Sequence, residues 1–150
     1  MNTIQINIIS IFGIISLLTA IKGFYESSVK NNPFGLTYPL FPFGIFVWGD
    51  AAVLGLFWSL VSLVCFLLND WILFLLIISL YWFVRSFGEI IYWLNQQFSP
   101  IIRNLPKKSG YKFFRNDSIW FINQLYWQCV MIVSIVSTIY LTHLWLTTKF

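Results

Sequence analysis

Six polar side chains that interrupt apolar stretches are the residues of this sequence that could do chemistry. They are two acids, one arginine and three amides, namely Asp50, Arg85, Glu89, Asn123, Gln124 and Gln128. Ionisable groups are costly inside a bilayer, and those that occur there commonly mark ion, proton or substrate sites. Arginine–carboxylate pairs and amides can equally hold helices together. The sequence leaves both interpretations open.

The spacing of these residues predicts that they occupy one layer. Arg85 and Glu89 are four residues apart and share a helix face, as do Gln124 and Gln128. At 1.5 Å per residue from the predicted helix ends, Asp50 lies about 10 Å, Glu89 about 8 Å and Arg85 about 14 Å from one membrane surface. The three amides lie about 5 to 12 Å from the same surface. We expect Asp50 and Gln128 to face the charged pair in the bundle interior.

Two further features of the sequence bear on this polar layer. Two carboxylates against one guanidinium leave a surplus negative charge, so that one acid is protonated or takes a second cation such as Lys22. Gly49 lies beside Asp50, and Gly88 lies beside Glu89. These glycines predict close approach of helix backbones at the layer.

Four apolar stretches, residues 4–21, 43–68, 71–94 and 120–146, must position the layer. The chain is 59% hydrophobic and only 9% charged, whereas soluble domains carry about 25% charged residues. Each stretch is close to or longer than the roughly 20 residues of a spanning helix, and none alternates with period two. The sequence therefore predicts an all-α integral membrane protein, with residues 1–150 forming one domain of four antiparallel transmembrane helices.

Two of the connections between the stretches have distinct predicted structures. Asn69 and Asp70 alone separate the second and third stretches, which predicts an antiparallel hairpin with Asp70 capping the third helix. Pro33, Pro39 and Pro42 exclude a regular helix between the first and second stretches. We expect an irregular aromatic segment in the membrane interface. A re-entrant element is the alternative, and its backbone groups would need partners.

The third connection is strongly basic and predicts the orientation of the chain. Its cations are Arg103, Lys107, Lys108, Lys112 and Arg115. By the positive-inside rule this loop is cytoplasmic, and both termini are then non-cytoplasmic, in a plasma or inner membrane. The net charge of +4 therefore reflects topology rather than nucleic-acid binding. We expect segment 103–115 to attract anionic lipids.

The sequence contains no motif of a known catalytic, cofactor-binding or metal-binding type, so we expect no cofactor and no metal. Three functions remain. The first is an accessory or interaction subunit of a membrane assembly, formed with copies of itself or with other membrane proteins. The second is an oligomeric transporter or channel component that uses the Asp/Arg/Glu layer. The third is a lipid-modifying membrane enzyme with Asp50 or Glu89 as acid or base.

Overall fold

The structure, a computed structural model, describes residues 1–99 and 118–149 of the chain. Its helices are α1 (Thr3–Phe24), α2 (Trp48–Leu67), α3 (Trp71–Phe98) and α4 (Ser118–Lys149). All four, with α1 extended to Val29 by a π-helical turn, are long and apolar enough to cross a membrane. The predicted helical architecture with four candidate spans is confirmed. The sidedness of the termini and the single antiparallel bundle stay predictions, and segment 103–115 lies outside the described residues.

Packing divides the described chain into two compact units. Unit 1 comprises Met1–Ile77 together with Lys149, and unit 2 comprises Ile78–Thr148. Unit 1 therefore holds α1, α2 and the first turns of α3, whereas unit 2 holds the remainder of α3 and nearly all of α4.

In unit 1, α1 and α2 pack antiparallel through a seam of mostly small residues. The seam row of α1 is Ile9, Gly13, Ser16, Ala20 and Gly23, and that of α2 is Ala51, Gly55, Trp58, Ser62 and Cys65. Both rows alternate steps of four and three residues, the spacing of left-handed helix pairs. A Cβ added at Gly55 would lie 2.7 Å from the backbone nitrogen of Ala20. Small residues thus let the two backbones come into contact, as in other membrane helix pairs.

Helix α2 begins at Trp48, five residues after the predicted start at residue 43. A 3₁₀-helix, Tyr38–Phe43, precedes it and ends at Gly44, whose φ of 70° is left-handed. The carboxylate of Asp50 accepts a hydrogen bond from the Phe46 N–H at 3.2 Å. Asp50 consequently lies in the first turn of α2, about 3 Å from the helix start instead of the predicted distance of about 10 Å, and its depth in the membrane stays a prediction.

The turn between α2 and α3 is a polar cluster at one end of unit 1. Asp70 accepts a hydrogen bond from the Leu73 N–H at 3.0 Å, which confirms the predicted cap of α3. Its second carboxylate oxygen lies 3.1 Å from the Lys149 ammonium. The Met1 ammonium donates to the side chain of Asn69 at 3.2 Å. The start of α1 and the α2–α3 turn therefore lie at the same end of unit 1.

In unit 2, α3 and α4 pack antiparallel through serine, threonine and tryptophan. The Thr138 hydroxyl donates to the Ser79 hydroxyl at 3.1 Å. Trp93 stacks on Trp120 with ring centroids 5.6 Å apart at the other end of the seam. Ser86, between these two levels, is fully buried. The seam of unit 2 is thus bulkier and more polar than that of unit 1.

Candidate functional site

The charged pair of the third helix forms as the spacing predicts. Arg85 and Glu89 meet in an ion pair of 3.1 Å, with side-chain exposures of 24% and 14%. Helix α3 continues to Phe98, beyond the predicted end at residue 94. Arg85 therefore lies about 20 Å and Glu89 about 13 Å from that helix end, so that Arg85 is at the middle of α3. The pair places two opposite charges near the midpoint of a spanning helix.

A cluster of amides lies where α3 and α4 meet, at the end of unit 2 that holds Phe98. The Gln97 side chain donates to the Gln124 side chain at 2.6 Å. Asn123 is buried and donates to the Ile119 carbonyl one turn earlier at 2.9 Å. Gln96 is also buried, and in the described chain its side-chain oxygen has no hydrogen-bond partner. The cluster contains polar groups able to hold a small polar ligand or a water molecule.

Gln96 continues the helix face of Arg85 and Glu89, as its spacing predicts. Gln97 was not predicted, although its position at the end of α3, opposite Gln124 at the start of α4, could have indicated it. Gln128 is half-buried, one turn further along α4 than Gln124. The amide layer therefore extends over two turns of α4 and adjoins the end of α3, not its middle.

Two tryptophan pairs line the seam beside the amides. Trp93 stacks on Trp120, and Trp82 stacks on Trp127 with ring centroids 6.4 Å apart. Trp120 and Trp127 are buried against α3. Offset stacking adds roughly 0.5–1.5 kcal/mol per pair beyond area burial. Trp93 and Trp120 are thus packing residues of the helix pair.

Apart from Asp70 and Lys149 at the α2–α3 turn, the charged residues of unit 1 lie around the connection from α1 to α2. The Lys22 ammonium lies 5.0 Å from the ring centre of Trp48, a cation–π contact. Lys30 forms an ion pair of 2.8 Å with Glu26. The hydrogen bond and charge of Glu26 raise the pKa of Lys30 above its ordinary value. Asp50 belongs to this unit, whereas Arg85 and Glu89 belong to unit 2, so their predicted meeting stays a prediction.

Of the two glycines predicted to approach another helix backbone, Gly49 approaches a loop backbone and Gly88 approaches none in the described chain. A Cβ added at Gly88 would meet no described atom within 4 Å, and the prediction of close approach there is wrong. One at Gly49 would lie 3.3 Å from the Pro33 carbonyl, in the connection before α2. The tightest helix contact is instead at Gly23, where a Cβ would lie 2.4 Å from the Ala52 nitrogen.

A scan against protein-family models, a search of curated proteins and a search of solved structures each find no match for this chain.

Proposed function

We propose that this chain is an accessory or interaction subunit of a membrane assembly that contains at least two copies of it, joined through α4. The observation that supports the proposal is the exposure of that helix. Of the most apolar 18 residues of α4, only 6% are buried, whereas 17% to 33% are buried in the corresponding 18 residues of the other three spans. Because so little of α4 packs against the rest of its own chain, most of its surface is available to a helix of another chain.

The face of α4 opposite the α3 seam has the spacing of a second seam. Its residues, at alternating steps of four and three, are Leu125, Cys129, Ile132, Val136, Ile139, His143 and Leu146. Small or β-branched side chains occupy the centre of this row, where Ile132 and Val136 are each about 60% exposed. Such a row can pack along its whole length against one partner helix in a left-handed pair.

The length of α4 favours a second copy as the partner. Its 32 residues span about 48 Å, whereas the hydrocarbon core of a bilayer is about 30 Å thick. A span longer than the hydrocarbon tilts, kinks or thickens the bilayer, and the modest cost of this adjustment can drive association between helices. Another α4 matches that length. Two copies inserted with the same orientation would form a two-fold pair in which each residue near the axis meets its own equivalent.

The native cysteines allow a direct test. Cys129 is exposed on the proposed face and Cys65 is buried. Oxidation with copper phenanthroline in the native membrane should give a disulfide-linked dimer, since Cα atoms at such an axis come within about 7 Å. The dimer should disappear in Cys129→Ser and persist in Cys65→Ala. Absence of dimer in the parent chain and in the cysteine scan below would refute self-association through this face.

Cysteines placed singly in the Cys129→Ser background supply the matched control. Ile132→Cys and Val136→Cys lie on the proposed face and should cross-link. Val133→Cys is equally exposed in the single chain but lies about 100° around the helix from Ile132, and it should not. Equal cross-linking of Ile132→Cys and Val133→Cys would show random collision rather than a defined interface.

The position of the Arg85–Glu89 pair favours a second candidate function, passage of an ion or solute through the assembly. Charge near the middle of a span is costly and is commonly retained for transport. We expect a variant with Arg85→Met and Glu89→Leu to fold, because apolar groups replace both charges of the ion pair. If the pair serves transport, this folded variant should fail to restore growth or function to cells that lack the parent protein. Full complementation would leave the interaction role alone.

A further inference from the structure

The part of the α1–α2 connection that follows Lys30 carries no charge. Residues 31–49 contain no acidic, basic or histidine side chain. Its exposed residues are mainly aromatic, aliphatic or proline, including Phe34, Leu36, Tyr38 and Phe41. Such a segment is unsuited to an open loop in water, because nothing charged offsets the exposed apolar surface.

The backbone of this connection is hydrogen-bonded within itself. Leu36 and Val47 form an antiparallel bridge. The Thr37 N–H donates to the Phe46 carbonyl at 2.9 Å, and the buried Thr37 hydroxyl donates to the Ile45 carbonyl at 2.8 Å. Residues 33–37 and 45–49 thus form the two arms of a narrow hairpin, whose tip is the 3₁₀-helix Tyr38–Phe43.

Several further backbone N–H groups of the hairpin also have hydrogen-bond acceptors. The N–H groups of Trp48 and Gly49 donate to the carbonyls of Gly35 and Pro33 at 3.1 Å and 2.9 Å. In the tip, Leu40 donates to the Thr37 carbonyl at 2.8 Å. The three prolines of the segment have no N–H to satisfy. Irregular backbone is tolerated at membrane depth only where its polar groups have such partners.

The tip lies back along the helix pair, not beyond its end. The glycine contacts of the seam place Gly13 level with Ser62 and Gly23 level with Ala52. In this register Phe12 is level with residue 63, fifteen residues or about 22 Å along α2 from Trp48. The ring of Phe43 has its centroid only 5.8 Å from that of Phe12. Allowing about 4 Å from each ring centre to its Cα, Phe43 lies at least about 8 Å along α2 from Trp48.

The depth of Phe43 in a membrane follows from the length of α2. Its 20 residues span about 30 Å, which equals the hydrocarbon thickness. To cross the bilayer, α2 must lie wholly within the hydrocarbon, with Trp48 at its boundary. A point 8 Å along α2 is then inside the hydrocarbon. The tip is seated closely there, since the cleft that Leu40, Phe43 and Ile45 form with α1 and Trp58 has a volume of about 10 Å³, room for about one water.

We propose that residues 33–47 form a re-entrant hairpin, which enters and leaves the bilayer on the same side and presents Tyr38 and Phe41 to lipid acyl chains. The occupant of that outer face is lipid. The face is apolar and uncharged, many backbone donors of the hairpin bond within it, the Phe46 N–H donates to Asp50, and its arms join two spans at the hydrocarbon boundary. The segment holds no cation, so its insertion does not depend on anionic lipid headgroups.

Cysteine accessibility in vesicles tests the proposal. In the Cys129→Ser background, Tyr38→Cys and Phe41→Cys report on the tip. Ser28→Cys, exposed on the π-helical turn outside the hairpin, is the matched control. A membrane-impermeant maleimide should label Ser28→Cys from one side of the bilayer. It should label the two tip variants at least tenfold more slowly from either side, and all three equally after denaturation in SDS. Far-UV circular dichroism checks that each variant is folded.

Spin labels at the same positions identify what the tip contacts. Oxygen, which concentrates in acyl chains, should relax labels at residues 38 and 41 more than a water-soluble nickel complex does, with the opposite order at residue 28. Tip cysteines that react with maleimide as fast as Ser28→Cys would overturn membrane insertion. Labels at both tip positions that are shielded from oxygen and nickel alike would overturn the assignment to lipid and show that protein covers this face.

Discussion

Substituting Gly23 by alanine should separate α1 from α2, whereas the same change at Gly88 should not disturb the fold. At Gly23 the new Cβ would lie 2.4 Å from the Ala52 nitrogen, about 1 Å inside van der Waals contact. The obstructing atom belongs to the backbone and cannot rotate away. At Gly88 the new Cβ would meet no described atom within 4 Å. The two substitutions are chemically identical and differ in their surroundings.

The expected size of the effect comes from comparing the two variants. Alanine gains about 1 kcal/mol over glycine in a helix, and this gain is common to both sites. Overpacking at a close contact costs about 1–3 kcal/mol. The difference in unfolding free energy between Gly23→Ala and Gly88→Ala should therefore be about 1–3 kcal/mol, with Gly88→Ala equal to or slightly more stable than the parent chain. In membranes no hydrophobic force compensates for lost contact between helices.

Reversible unfolding in mixed micelles with increasing SDS, followed by far-UV circular dichroism, measures this difference. Gly55→Ala, whose Cβ would lie 2.7 Å from the Ser16 carbonyl, should be destabilised like Gly23→Ala. Equal stability of Gly23→Ala and Gly88→Ala would refute the packing of unit 1 through its small-residue seam.

Three further substitutions test individual contacts by the same unfolding measurement. Asp70→Ala should cost about 1 kcal/mol through loss of the α3 cap, whereas Lys149→Ala, at the exposed end of the same ion pair, should change stability by less than about 0.5 kcal/mol; equal losses would contradict the capping role. Thr37→Val keeps the shape of a buried side chain but removes its hydrogen bond, so a loss of about 1 kcal/mol is expected, and no loss would mean that the hairpin arms do not depend on it. Arg85→Met should destabilise by up to a few kcal/mol because it removes one charge of an ion pair near the middle of α3, and adding Glu89→Leu should recover most of the loss; a double variant no more stable than the single one would contradict mutual neutralisation of the two charges.

The spans and the α3 cap could be predicted because each depends on local sequence. Apolar length sets the four helices, and Asp70 between two apolar stretches has the position of an N-cap. The start of α2 could not be found this way. Residues 43–47 are as apolar as the helix that follows, and they are separated from it by the left-handed Gly44, the contact of Asp50 with Phe46 and the pairing with residues 33–37.

The small-residue seam and the hairpin depend on contacts between distant parts of the chain. Gly49 and Gly88 stand out in the sequence because they adjoin charged residues. The matching steps of four and three around Gly23 and Gly55 become meaningful only when both helices are read together. The hairpin likewise depends on pairing across its tip, as in the bridge from Leu36 to Val47. The prolines predict an irregular segment, but they do not determine its position relative to the helices or the membrane.

Energy transfer between labelled chains in vesicles tests self-association through α4 most directly. Chains labelled at Ser28→Cys in the Cys129→Ser background, half with donor and half with acceptor, are diluted with lipid over a hundredfold range. Transfer should follow a saturable association curve well above random proximity. Ile132→Trp should weaken association at least tenfold, equivalent to about 1.4 kcal/mol, and Val133→Trp should leave it unchanged. Transfer at the level of random proximity in the parent chain, or equal effects of the two tryptophans, would contradict an assembly built through this face of α4.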